Sequence, residues 1–195
     1  IRDRCKRAQD VPTYENVFKR LHLNIKTEQA MRWLQLDKWD KCAGKLLPLE
    51  GRECFAGLDL ASTTDIASLV LVFPDGDGMF DILPIFWIPS DCSRERERKD
   101  GVPYATWARE GLIRTTEGNV IDYDQIRNDI IELGEIYNIQ EIAIDRWAAA
   151  QITNQLIGDG FEVVPFGQGF KSMTPACKGL EKIILGVQCR HAGNE

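Results

Sequence analysis

Between Glu53 and Ile88 the chain strings together three short apolar runs, separated only by turn-forming residues, and no helix of ordinary length fits among them. The first, Glu53-Cys-Phe-Ala-Gly-Leu-Asp-Leu, suits a buried strand that ends at Asp59. A turn, Ala61-Ser-Thr-Thr-Asp, leads into Ile66-Ala-Ser-Leu-Val-Leu-Val-Phe, which Pro74-Asp-Gly-Asp-Gly closes with residues that reverse the chain. Met79-Phe-Asp-Ile-Leu-Pro-Ile-Phe-Trp-Ile makes the third strand. Pro84 suggests an edge position for it, because proline cannot donate to a ladder. Three strands on short loops predict an antiparallel meander.

The apolar period then lengthens. After the charged segment 93–100, a helix-like stretch spans Pro103 to Glu110. The residues from Asp124 to Tyr137 place Ile126, Ile130 and Leu133 on one side of a helix. Ile139-Gln-Glu-Ile-Ala-Ile-Asp predicts a fourth strand ending at Asp145, and Trp147 to Ile157 a helix. Phe161-Glu-Val-Val-Pro-Phe predicts a fifth strand, and Pro175 to Val187 the last helix. The order βββ-α-β-α-β-α describes an α/β domain over residues 51–195: a mixed five-stranded sheet, three strands antiparallel and then two parallel, flanked by helices. Residues 1–50 read as a partly helical arm. Tyr14, Val17, Phe18 and Leu21 have helical spacing, a second helix is capped at Thr27, and Trp33 and Trp39 are expected to lean on the main domain. The start, Ile1-Arg-Asp-Arg-Cys, lacks Met and an apolar leader, so a longer parent polypeptide is expected.

No apolar run approaches the roughly 18 residues that would span a bilayer. Six scattered cysteines without a C-x-x-C pair, and two histidines, argue for reduced thiols rather than zinc or a disulfide frame. Net charge is −6, but residues 1–50 carry 11 Lys and Arg against 7 Asp and Glu, whereas the remainder carries 13 against 23. An acidic domain can still meet DNA through a basic rim and divalent ions.

Asp59 and Asp145 each close a predicted strand. In mixed α/β sheets, sites gather at the carboxyl ends of strands. If the two strands are parallel neighbours, their carboxylates fall roughly 5 Å apart. Two acids that close repel unless a cation lies between them, and hard oxygen ligands favour Mg²⁺ or Mn²⁺. Either aspartate could instead cap the element that follows it. Asp65 faces the same crevice or begins the second strand. Ser62, Thr63 and Thr64 offer hydroxyls or form a plain turn. Arg146 contacts phosphate or completes a salt bridge. Gln168 and Gly169 lie near the substrate path or make an ordinary turn. The Arg94–Lys99 run reads as a solvated helix face, and Lys171, Lys178 and Lys182 as a thin basic edge for nucleic acid or as plain surface.

Taken in order, Phe18-Lys-Arg-Leu-His-Leu-Asn, Trp33, Trp39 and Cys42, Gly57-Leu-Asp-Leu-Ala-Ser-Thr-Thr-Asp-Ile-Ala, Ile121-Asp-Tyr-Asp-Gln-Ile, Ile144-Asp-Arg-Trp-Ala-Ala-Ala-Gln-Ile, Phe166-Gly-Gln-Gly-Phe and His191-Ala-Gly-Asn resemble the nuclease half of tailed-phage terminase large subunits. The resemblance runs from Val17 to the end. It implies an RNase H-like fold and endonucleolytic cutting of concatemeric double-stranded DNA, with two ions, Mg²⁺ or Mn²⁺, held by three acids. One ion would activate the attacking water and the other stabilise the leaving oxygen. Asp59 and Asp145 match two of the acids. The third belongs beyond the His-x-Gly-Asn stretch, and Glu195 does not match it, so weak or absent cutting is expected of residues 1–195 alone. The resemblance also implies a portal protein and a small terminase subunit as partners. It further implies an oligomer within the motor, a monomeric isolated domain, and action in the host cytoplasm on the procapsid. Two rivals remain at this point. An actin-like or sugar-kinase phosphotransferase would use Leu58-Asp-Leu-Ala-Ser-Thr-Thr-Asp as a phosphate loop, but would need a second domain. A catalytically silent docking module of the motor would leave DNA uncut.

Overall fold

The computed structural model describes residues 1–10, 12–25, 33–34, 36–61, 64–91, 93–145 and 150–193. The chain divides into two compact units, residues 1–39 and 40–195. In the first, α1 (Arg2–Asp10) and α2 (Pro12–Leu23) bury Ala8 and Phe18, and the Phe18 ring lies 5.3 Å from that of His22. The helix expected from Thr27 falls largely outside the described residues. A short helix, α3 (Leu36–Asp40), runs across the division.

The second unit begins earlier than the boundary read at residue 50, because residues 40–50 are tied into the sheet domain. Ala43 bridges His191, the Gly44 N–H donates to the His191 carbonyl at 2.9 Å, and Leu49 is buried in the main core. The meander is present as β1 (Glu53–Asp59), β2 (Ala67–Pro74) and β3 (Phe80–Pro89), antiparallel in sequence order. The two parallel strands are β5 (Asn138–Asp145), beside β1, and β6 (Val163–Phe166), beside β5.

The sheet has seven strands rather than five, since β4 (Arg114–Thr116) and β7 (Cys189–His191) both pair with β3. At three residues each, they are too short to show an alternating pattern. Pro84 lies between the stretch of β3 that pairs with β7 and the stretch that pairs with β4, so its ring interrupts neither short ladder.

Strict alternation along β1 buries Cys54, Ala56 and Leu58 on one face. The register Leu58↔Leu69 and Leu58↔Ile144 continues that face across three strands. Against it pack Ile126, Ile130 and Leu133 of α6 (Tyr123–Ile136) and Ile152 and Leu156 of α7 (Ala150–Gly158). Asp122 caps α6 by accepting the N–H groups of Asp124 and Gln125, at 2.9 and 3.2 Å. On the other face, a smaller cluster joins Ile88 to Tyr104 of α5 (Tyr104–Arg109) and to Ile113, with Ile66 and Phe86 against it. The last helix, α8 (Phe170–Leu185), starts before its expected position and carries Pro175 inside. Cys5, Cys42, Cys54, Cys177 and Cys189 form no disulfide, and burial pushes the Cys54 thiol up to about 11.

Opposite the strand ends that carry Asp59, the sheet is fastened by charge. Asp81 is wholly buried and accepts from Arg52 Nη1 at 2.8 Å and from Arg190 Nε at 2.7 Å, while Arg190 also reaches Asp75 at 2.9 Å. The two arginines thereby join β7, β3 and the entry to β1. Replacing Asp81 with Ala should lower stability by about 3 kcal/mol, because both guanidinium groups lose a desolvated partner; urea unfolding read by Trp fluorescence checks this.

Candidate functional site

Asp59 is the last residue of β1 and Asp145 the last of β5. The parallel ladder pairs Gly57 with Ala143 and Leu58 with Ile144, so the two aspartates follow at the next step. In-register parallel neighbours point to the same side of a sheet, with backbones roughly 5 Å apart. That side is the one opposite the main core: Leu58 and Ile144 are buried, whereas Asp59 is exposed and Asp145 half-buried. One strand further, Phe166 pairs with Asp145. Two residues later, Gln168 Nε2 donates to Asp59 Oδ1 at 3.3 Å. Because β5 lies between β1 and β6, this amide reaches across the end of the strand that carries Asp145. Asp59, Asp145 and Gln168 thus gather at one end of three parallel strands.

The loop that leaves Asp59 is held from two helices. Tyr123, at the start of α6, donates its hydroxyl to the Ala61 carbonyl at 2.7 Å. Arg96 comes from α4 (Ser93–Asp100) and donates Nη1 to the Thr64 carbonyl at 2.8 Å. Its Nη2 lies 3.0 Å from Asp65 Oδ1 and 2.9 Å from Asp100 Oδ2. Tyr104 donates to the same Asp100 oxygen at 3.1 Å. The Arg96 hydrogen bond, then that of Tyr104, holds the Asp100 carboxyl below the ordinary carboxylate range, against the opposing pull of burial. Asp59, Thr64, Asp65, Arg96 and Lys99 line a cavity of 470 Å³.

Asp65 therefore shares a cavity with Asp59, but its carboxylate is engaged by Arg96 and by the N–H of Ile66. Lys171, Lys178 and Lys182 are exposed on α8, and their spacing of seven and four residues puts them on one face of that helix. Arg146, Ser62, Thr63 and Glu195 lie outside the described residues. Arg96, Lys99 and Tyr123 escaped the reading of the sequence as site residues. Arg96 and Lys99 sit in a run of alternating charges that reads as solvated surface, and the one available sign was their three-residue spacing on a common helix face.

Two hard carboxylates side by side, one already oriented by an amide, suit a divalent cation better than they suit each other. The set is partial: among the described residues no group of three or more His, Cys, Asp or Glu is placed to hold a metal ion. Among those residues, too, no helix is long and apolar enough to cross a membrane.

The family model for the terminase large subunit, endonuclease domain, matches residues 1–195. The large subunit of the terminase of Enterobacteria phage HK97 is 36% identical over 189 residues, which cover 96% of this chain and 37% of that protein. The chain thus spans under two fifths of that relative's length. The crystal structure of the HK97 bacteriophage large terminase superposes with a TM-score of 0.77 at 34% identity, over 97% of this chain and 40% of the other. The large terminase nuclease of the thermophilic phage G20c superposes with a TM-score of 0.52 over 81% of this chain and 74% of its own, and at 12% identity it speaks to the fold alone. That nuclease has also been solved with bound magnesium, cobalt and zinc.

The bracing by Arg96 is open to direct measurement. In Arg96→Gln, the Asp100 carboxyl should titrate higher, toward the ordinary value, in a carbon-detected NMR pH titration, and amide exchange at Asp65 and Ile66 should quicken.

Proposed function

The chain belongs to the terminase large subunit endonuclease-domain family, and from that premise we propose that it cuts concatemeric double-stranded DNA by metal-dependent phosphodiester hydrolysis during packaging. The observation that carries this reading is the parallel register that brings Asp59 beside Asp145, with Gln168 bonded to Asp59 across the intervening strand. Asp59 and Asp145 would hold Mg²⁺ or Mn²⁺, two ions in the complete site, with a further acid joining them. The divalent ions bound to the G20c nuclease support the same class of metal here. When bound, such ions supply Lewis-acid stabilisation of the charge that builds on the phosphate oxygens in an in-line displacement.

The chain's own residues have separable tasks. Asp59 and Asp145 keep both oxygens of each carboxylate at one strand end, where phosphate can approach from the less covered face. Gln168 fixes the rotamer of Asp59 by donating to one of its oxygens and leaving the other to a cation. Asp65 contributes to the same cavity through its negative field, and Arg146 would meet phosphate beside Asp145. Lys171 and Lys178, with Lys182, would follow the backbone of the duplex along α8. The portal protein and the small terminase subunit are the partners this assignment entails, with the host cytoplasm as the place of action. The phosphotransferase reading loses its ground to the family match. A silent docking module, in contrast, would leave DNA intact whatever the metal.

In the full-length protein with Mn²⁺, supercoiled plasmid should be nicked and linearised. Asp59→Asn or Asp145→Asn should lower the rate by at least a hundredfold, as should chelation by EDTA. Gels that show parental cutting in both variants would refute the assignment.

A further inference from the structure

Lys99 stands apart from the other charged groups that line the Asp59 cavity. Arg96 spends its guanidinium on the Thr64 carbonyl, Asp65 and Asp100. Asp65 is matched by Arg96 and by the Ile66 N–H. Lys99 lies three residues after Arg96 on the same side of α4, is exposed, and makes no hydrogen bond or salt bridge among the described residues. Its ammonium is a positive charge on the wall of the cavity that Asp59 also lines, and its pull on the neighbouring Asp100 is the weakest of the influences acting on that carboxyl. A lysine free to swing on its stem usually finds an acid when acids are nearby. Here Asp100 of its own helix and Asp65 of the loop are both held by a planar, multidentate arginine, which binds them better than an ammonium can. Arg96 keeps those two acids occupied, and Lys99 stands on the cavity wall.

We propose that Lys99 contacts a backbone phosphate of the DNA strand that enters this cavity, next to the phosphate cut at Asp59 and Asp145. The inference rests on the nuclease reading and adds to it a substrate contact on α4, a different element from the α8 that carries Lys171, Lys178 and Lys182. A phosphate brings the anion that the ammonium lacks, and each neutralised phosphate releases counterions, so the contact is visible in salt dependence rather than in folding stability. Arg96 serves as a positioning residue, since it holds the loop rather than the substrate.

The test compares the full-length protein with Lys99→Ala and Lys99→Arg. Binding of a short fluorescein-labelled duplex, with Ca²⁺ in place of the cutting metal, is followed by anisotropy through a KCl titration. Lys99→Ala should weaken binding several-fold at moderate salt and reduce the slope of log K against log salt by about 1, and Lys99→Arg should restore both. Plasmid cutting with Mn²⁺ should show a raised KM for Lys99→Ala with kcat close to the parent's, a split that a general loss of structure would not give. If the parent cuts plasmid and Lys99→Ala keeps its slope and KM, the Lys99 contact is refuted while the nuclease reading stands. If the parent neither binds the duplex nor cuts, the nuclease reading fails and this contact fails with it.

Discussion

The ladder between β1 and β5 is the constraint from which the site follows. Cys54, Ala56 and Leu58 alternate into the core from one strand, Ile142 and Ile144 from the other, and a register shift between Cys54 and Phe55 brings the two sets level. A slip of one residue would turn one strand's apolar set out to solvent. Burial of Leu58 and Ile144 therefore fixes where Asp59 and Asp145 point. Two carboxylates roughly 5 Å apart repel by on the order of 3 kcal/mol at an effective dielectric constant of 20. Each buried aliphatic side chain contributes roughly 1.5–3 kcal/mol in the other direction. Several such side chains hold this register, so the core wins and the acids stay paired. A divalent ion would turn the remaining repulsion into attraction.

Precision at the site comes from hydrogen bonds that cross between elements. Tyr123 ties the Ala61 carbonyl to the first turn of α6, and that helix is anchored by Ile126 and Ile130 in the main core. Arg96 ties Thr64 and Asp65 to α4, and Gln168 ties Asp59 to the loop after β6. The loop after Asp59 is thus restrained at both described ends by groups from distant parts of the sequence. At the far end of the sheet, Asp81 with Arg52 and Arg190 holds β7 to β3 through a buried network. A rigid sheet with one clamped and one open end is a suitable mount for acids that must keep their separation while a substrate arrives.

The meander, the parallel pair and the positions of Asp59 and Asp145 could be read from the sequence because each leaves a local mark: an alternating or continuous apolar run, a turn cluster, an acid at the end. The three residues of β4 and of β7 carry no such mark, and their pairing with β3 is decided by tertiary contacts alone. Helix α8 starts at Phe170 because Gly169 takes an extended conformation (φ −76°, ψ 165°) ahead of it, whereas Pro175 pulled the expected start five residues on. Arg96 and Lys99 were illegible for another reason. Strings of alternating arginine and glutamate look the same whether the helix faces water or a cavity, and only the packing of α4 against the loop after β1 distinguishes them. Gln168 was legible as a loop residue after the fifth strand, but its bond to Asp59 depends on the order of three strands, which spacing cannot supply.

If this acidic chain handles DNA, it needs its positive charge in the right places rather than in excess. The net charge of −6 means that the field far from the surface repels a duplex, whose phosphates present one charge per roughly 1.7 Å of axis. Close to the strand ends, the balance differs: Arg96 is shared between Asp65 and Asp100 and offsets one of their two charges, and three lysines share one face of α8. The pair Asp59 and Asp145 adds two negative charges at the centre, the charge that divalent ions would cancel. For a DNA substrate, such an arrangement would make approach conditional on metal, since without ions the acids would oppose the phosphate that the lysines attract. The same carboxylates would then serve both catalysis and selection, admitting the backbone only when the ions needed to cut it are already in place.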